Sequence, residues 1–123
     1  MPYWPDYCSR VFGEDLPANN STYTNQHYGG VNIQGENIFF ANAEEDPWQW
    51  AGMRELADPS TQTTMTASMI NCTDCGHCID FHTPTADQPI ELTNVQNQIA
   101  DTVASWLAEA AASKAPKVET FLQ

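Results

Sequence analysis

Basic side chains are scarce in this chain of 123 residues. Four Lys and Arg stand against sixteen Asp and Glu, a formal net charge of −12. So few cations cannot grip a phosphate backbone, which excludes nucleic acid as a partner. No apolar run approaches the roughly 18 residues that a membrane-crossing helix needs, so no membrane span is expected. The start has no basic segment followed by an apolar stretch, so no secretory leader is visible there. Met1-Pro2-Tyr3-Trp4-Pro5-Asp6-Tyr7-Cys8 reads instead like the interior of a protein. What the chain does have is a 41% apolar share, enough for one small core.

Four cysteines and three Asn-x-Ser/Thr sequons, at Asn19, Asn20 and Asn71, lean toward the secretory pathway. A secreted chain without a leader is expected to be a fragment whose N-terminal part is missing.

Residues 1–30 are rich in Pro, Asn, Tyr and Gly without a sustained period, and read as a long irregular connecting segment. Tyr28-Gly29-Gly30 marks a tight turn. The short apolar run over residues 37–42 predicts a buried parallel strand. Trp48 to Ala57 predicts a short helix, ended by Asp58-Pro59-Ser60. Thr63 to Ile70, rich in β-branched residues and Met, predicts a second strand. Leu92 to Ala112 predicts the best helix, with Val95, Ile99, Val103, Trp106, Leu107 and Ala110 forming one stripe and Thr93 as its N-cap. Residues 114–123 read as a tail. Strand, helix, strand, helix is an α/β pattern, yet two strands cannot shield their own faces and edges. The segment therefore wants more strands than it supplies.

Cys72-Thr73-Asp74-Cys75-Gly76-His77-Cys78 gathers three sulfurs and an imidazole, with His82 close behind. C-x-x-C is a zinc half-site, but only Cys8 lies elsewhere to complete a separated second knuckle. In a secreted chain the same spacing more often means structural disulfides. Asp46 follows the first predicted strand, and His77 follows the second. Chemistry in α/β folds gathers at the C-terminal ends of parallel strands. A solvated acidic loop, Glu44-Glu45-Asp46, is the blander reading of the first. An acid after one strand and a His after the next is the more specific pattern, the order in which an α/β-hydrolase carries the last two members of its triad.

Asn42-Ala43-Glu44-Glu45-Asp46-Pro47-Trp48 resembles the N-G-x-x-D-P-W segment of a family of serine peptidases. That family includes lysosomal Pro-Xaa carboxypeptidase, dipeptidyl peptidase II and thymus-specific serine protease. Tyr28-Gly29-Gly30 is similar to its Y-G-G turn. Gly76-His77-Cys78-Ile79-Asp80 resembles its G-x-H-x-x-D region with the glycine slipped by one residue. Trp106-Leu107 matches its C-terminal helix, and Cys8 with Phe12-Gly13 resembles a half-cystine segment. Ala43 stands where the family has glycine. Cys78 stands where the lysosomal members have a second His.

The resemblance implies the C-terminal part of an α/β-hydrolase fold over residues 31–113, comprising its last two parallel strands and C-terminal helix. The N-terminal part and a helical cap would be missing. It implies a serine-type exopeptidase cleaving peptides, near proline, with Asp46 as triad acid and His77 as triad base. None of the six serines here has the flanking glycines of a G-x-S-x-G elbow, so the nucleophile is expected upstream. Cys8 would bond to a cysteine outside this chain, making 1–30 a disulfide-linked connector. The expected partners are a peptide substrate and the missing N-terminal part. No cofactor or metal is called for, and the location would be secreted or lysosomal/vacuolar. Two readings compete with this one: a small secreted disulfide-rich or zinc-binding module without catalysis, and a noncatalytic relative that lost the serine.

Overall fold

A computed structural model describes residues 3–13 and 20–114, in two compact units divided between Ile33 and Gln34. In the first unit, α1 spans Tyr3–Phe12 and α2 spans Ser21–Tyr28, followed by a 3-10 turn at Gly30–Asn32. The described part of 1–30 is therefore helical, and the irregular reading is corrected. The reason lies in the helix ends. Asn20 caps α2, its side-chain oxygen accepting the Tyr23 N–H at 2.9 Å. Gly29 closes it in the left-handed region, at φ 90°, and donates its N–H to the Asn25 carbonyl at 2.8 Å. A Cβ on Gly29 would lie 2.8 Å from the Ile33 Cα. No residue of α2 is buried, so it has no apolar period to betray it. Residues 14–19, with the Asn19 sequon, lie outside the described residues, as does the tail beyond Lys114.

The second unit is α/β. Strands β1 (Ile38–Ala43) and β2 (Met65–Ile70) pair in parallel, from Ile38 opposite Met65 to Ala43 opposite Ile70. Alternation sends Phe39, Ala41 and Ala43 to one face, where Ile70 joins them. There Ala43, Ile70, Cys75, Leu92 and Val95 form the buried cluster, with Phe39, Ile79 and Ile99 packed against it. Leu92 and Val95 come from α3 (Ile90–Lys114), the long C-terminal helix. Ser68 on β2 donates its hydroxyl to Gln98 of α3 at 2.7 Å, a polar tie on the same face. Farther along the predicted stripe, Val103 is exposed and Leu107 is 66% exposed, so only the first half of the stripe serves this core.

Two local expectations fail. Trp48–Ala57 is a chain of turns, not a helix. Asp46 caps the first turn, but Asn42 then takes a carbonyl that a helix running to Ala57 would need. Asn42 donates to the Met53 carbonyl at 2.8 Å, and Asp46 accepts the Trp48 N–H at 2.8 Å. Thr93 is not an N-cap, because α3 begins at Ile90, straight after Pro89. Thr93 sits inside the helix, with its N–H donating to the Pro89 carbonyl at 3.1 Å.

Candidate active site

The loops after β1 and β2 leave the same end of the sheet, the C-terminal ends of parallel strands. The β1 loop begins in the ladder: Glu44 donates its N–H to the Ile70 carbonyl at 3.0 Å, and Asp46 donates to the Ala43 carbonyl at 3.1 Å. Ala43 is 3% exposed and lies in extended strand, where no left-handed backbone is required, so alanine fits where the resembling family has glycine. Gly52 has a different constraint. A Cβ there would run into the Asn42 side-chain oxygen, which is held in place by the bond to Met53.

These contacts fix Asp46, a carboxylate only 6% exposed. Its Oδ1 accepts the Trp48 N–H, and its Oδ2 lies 2.8 Å from His77 Nδ1. The hydrogen bond to His77 is the main cause that holds the Asp46 carboxyl below its ordinary value of 3.8. Burial opposes it, and the Trp48 N–H and the attraction of the imidazole add to it. An ionised carboxylate can only accept, so the shared proton belongs to Nδ1 and His77 donates. In the neutral imidazole Nε2 then keeps its lone pair, on a side chain that is 59% exposed.

The sign of the pH effect follows. Asp46 is more acidic in the folded chain than in the unfolded one, so its stabilising contribution is complete above the unfolded carboxyl value. It is lost as the pH falls through the lowered folded value. A carboxyl-carbon NMR titration of the full-length protein should give Asp46 a midpoint below 3.8. A midpoint above that value would mean that burial outweighs the two donors.

His77 is held by its own loop. Cys72 and Cys75 form a disulfide, with Cys75 2% exposed in the core cluster. That uses the first C-x-x-C of the zinc reading, while Cys78 is free and exposed. Among the described residues no three His, Cys, Asp or Glu side chains are grouped to hold a metal ion. Asp74 and Cys78, on either side of His77, both take left-handed backbone at φ 60° and 58°. Glu45 is not merely a solvated charge. Its Oε2 accepts the Asp74 N–H at 3.0 Å and ties the acid loop to the His77 loop.

Asp46 and His77 open on a cleft of about 530 Å³, also lined by Phe39, Met53, Trp48 and Phe81. Trp48 is 66% exposed on the cleft wall, and its backbone N–H makes the contact to Asp46. Among the described residues no serine lines the cleft. Ser60 bonds Asp58 at 2.6 Å, Ser68 bonds Gln98, and Ser113 bonds the Ala110 carbonyl at 2.8 Å. Sequence reasoning missed Gln96, whose amide meets the turn behind His77, since it contacts only backbone there and so has no motif partner to find. Among the described residues no helix is long and apolar enough to cross a membrane.

The sequence is similar to those of known proteins. A Caenorhabditis elegans protein named "Putative serine protease K12H4.7" is 31% identical over 110 residues, covering 85% of this chain and 20% of that protein. An Arthroderma benhamiae protein named "Probable extracellular serine carboxypeptidase" is 26% identical over 113 residues, covering 87% of this chain and 16% of its own length. The chain thus spans about a fifth or less of the curated relatives it matches. No solved structure matches it significantly. The profile of the family described as Serine carboxypeptidase S28 matches residues 1–99, most of the chain, and the chain belongs to that family of serine peptidases.

Proposed function

We propose that this chain carries the acid and the base of a Ser-Asp-His triad, with Asp46 and His77 in those roles and the serine outside the chain. The observation that carries the reading is the 2.8 Å contact between Asp46 Oδ2 and His77 Nδ1 at the C-terminal ends of two parallel strands. In this reading the two strands and α3 are the last part of an α/β-hydrolase fold. His77 Nε2 takes the proton of the serine hydroxyl as it attacks the peptide carbonyl, and returns it to the leaving amine. Asp46 holds the imidazole in the tautomer that leaves Nε2 free, and stabilises the imidazolium. The substrate is a peptide, cleaved from one end by a carboxypeptidase or dipeptidyl peptidase action, with a preference near proline. That preference is supported by family likeness alone. The sequons, the disulfide and the extracellular name of one relative support a secreted or lysosomal location.

A fluorophosphonate probe tests the reading. The 123-residue chain should not react, because acid and base alone form no acyl-enzyme. The full-length protein should react at one serine outside residues 1–123. Labelling of Ser60, Ser68 or any other serine of this chain would remove the reading.

A further inference from the structure

The turn that follows His77 is held by one side chain of α3. Residues Ile79–Phe81 form a short 3-10 helix, entered through the left-handed Cys78. Within it, the Phe81 and His82 N–H groups donate to the carbonyls of Cys78 and Ile79, both at 3.1 Å. The carbonyls of Asp80 and His82 point at α3 instead. Gln96 Nε2 donates to both, at 3.1 and 2.9 Å. Both protons of that amide are then used.

The orientation of the Gln96 amide is set in turn. Its Oε1 accepts from Gln88 Nε2 at 2.7 Å. Gln88 Nε2 also donates to Thr93 Oγ1 at 2.8 Å, while Gln88 Oε1 accepts the Thr85 N–H at 3.1 Å. No polar atom of either amide in this relay is idle. A flip of Gln96 would set its oxygen against two carbonyl oxygens and its NH2 against a donor. The brace therefore has one arrangement. Ile79 packs on the core cluster and fixes the depth of the turn, and Gln96 fixes its height along α3.

We propose that Gln96 is a positioning residue for the base: through the Asp80 and His82 carbonyls it sets where the His77 imidazole stands relative to Asp46 and the cleft. This rests on the reading of His77 as catalytic base. Gln96 does not line the cleft, so it acts through the loop and not on the substrate. A base displaced by about 1 Å from its nucleophile costs on the order of 10²-fold in rate.

The test uses the full-length protein with its active sites titrated by a fluorophosphonate. Gln96→Glu keeps the size of the side chain but sets an acceptor against two carbonyls. kcat per titrated site should fall about 10²-fold, with KM unchanged. The His77 Nδ1 proton resonance should shift or broaden in the same variant. A merely structural role would reduce the number of titratable sites and leave kcat per site at the parent value. Gln88→Glu should act in the same direction but more weakly, because Gln96 would turn its NH2 toward the new carboxylate. It carries the test if Gln96→Glu does not fold. Parent kcat per site in the folded variant overturns the positioning role. His77→Ala separates the two layers: turnover retained there removes the catalytic reading itself. Turnover abolished there, with Gln96→Glu at the parent rate, removes the positioning role alone.

Discussion

Replacing His77 by alanine in the full-length protein is expected to lower kcat by about 10⁶-fold, with KM little changed. The size follows from what the imidazole does. A serine hydroxyl is a weak nucleophile unless a base takes its proton during attack. In the proposed triad His77 does that work, and the Asp46 contact occupies Nδ1 so that neutral His77 keeps the lone pair on Nε2. No neighbouring group can substitute. Asp46 is 6% exposed and already accepts the Trp48 N–H, and the free Cys78 is the next residue along a backbone bent at φ 58°. The fold should survive, because His77 is 59% exposed and outside the core cluster. Its removal leaves Asp46 Oδ2 without its partner in a nearly buried site, which should cost about 1–3 kcal/mol in stability. The measurement is kcat on a peptide substrate together with a thermal melt. A melt lowered only modestly, with turnover lost, is the expected pair. Turnover within tenfold of the parent would exclude His77 as the base. Cys75→Ser should show the opposite balance. Cys75 is 2% exposed and disulfide-bonded to Cys72, so its loss should appear first as lost folded protein.

The elements that positioned this site were legible wherever burial left a pattern. β1 and β2 showed as short runs, apolar or β-branched, because both bury side chains against α3. α3 showed as a stripe, and its buried Val95 and half-buried Ile99 lie on that stripe. Asp46 and His77 could be singled out because a parallel pair brings the loops after successive strands together. The remainder was set by contacts that leave no period. α2 stands on an Asn cap and a glycine stop, with no buried residue. The stretch after Trp48 has helix-forming residues, but Asn42 takes the Met53 carbonyl, and only the folded loop shows that. Cys72, Cys75 and Cys78 are spaced equally, so spacing alone could not choose between pairing Cys75 with Cys72 or with Cys78. Gln96 looked like one more polar helix position. Its function as a brace depends on two carbonyls that any sequence would supply.

Asp46→Asn in the full-length protein is expected to cost about 10⁴-fold in kcat, by imposing the wrong tautomer on His77. The contacts of Asp46 say why the amide has no good alternative. Oδ1 accepts the Trp48 N–H at 2.8 Å, and Oδ2 accepts the His77 Nδ1–H at 2.8 Å. An asparagine must put its single oxygen at one of these places and its NH2 at the other. The Trp48 N–H is backbone and can only donate, so the oxygen is drawn to it. The NH2 then faces Nδ1, which must accept. The imidazole proton moves to Nε2, where it faces the serine, and the base has no lone pair left for the hydroxyl proton. The reverse placement would restore the tautomer, but it sets NH2 against the Trp48 N–H in a site that is nearly buried. Leaving such a donor unpaired costs about 1–3 kcal/mol. The imidazole tautomer, by contrast, is nearly free to change, so the amide should choose Trp48. The choice can be read without turnover. In the full-length protein, imidazole ¹⁵N shifts should place the proton of neutral His77 on Nδ1 in the parent and on Nε2 in Asp46→Asn. An Nδ1 proton retained in the variant, or turnover close to the parent, would break the link from Asp46 to the tautomer. The 2.8 Å contact would then be a structural tie between two loops and not part of a triad.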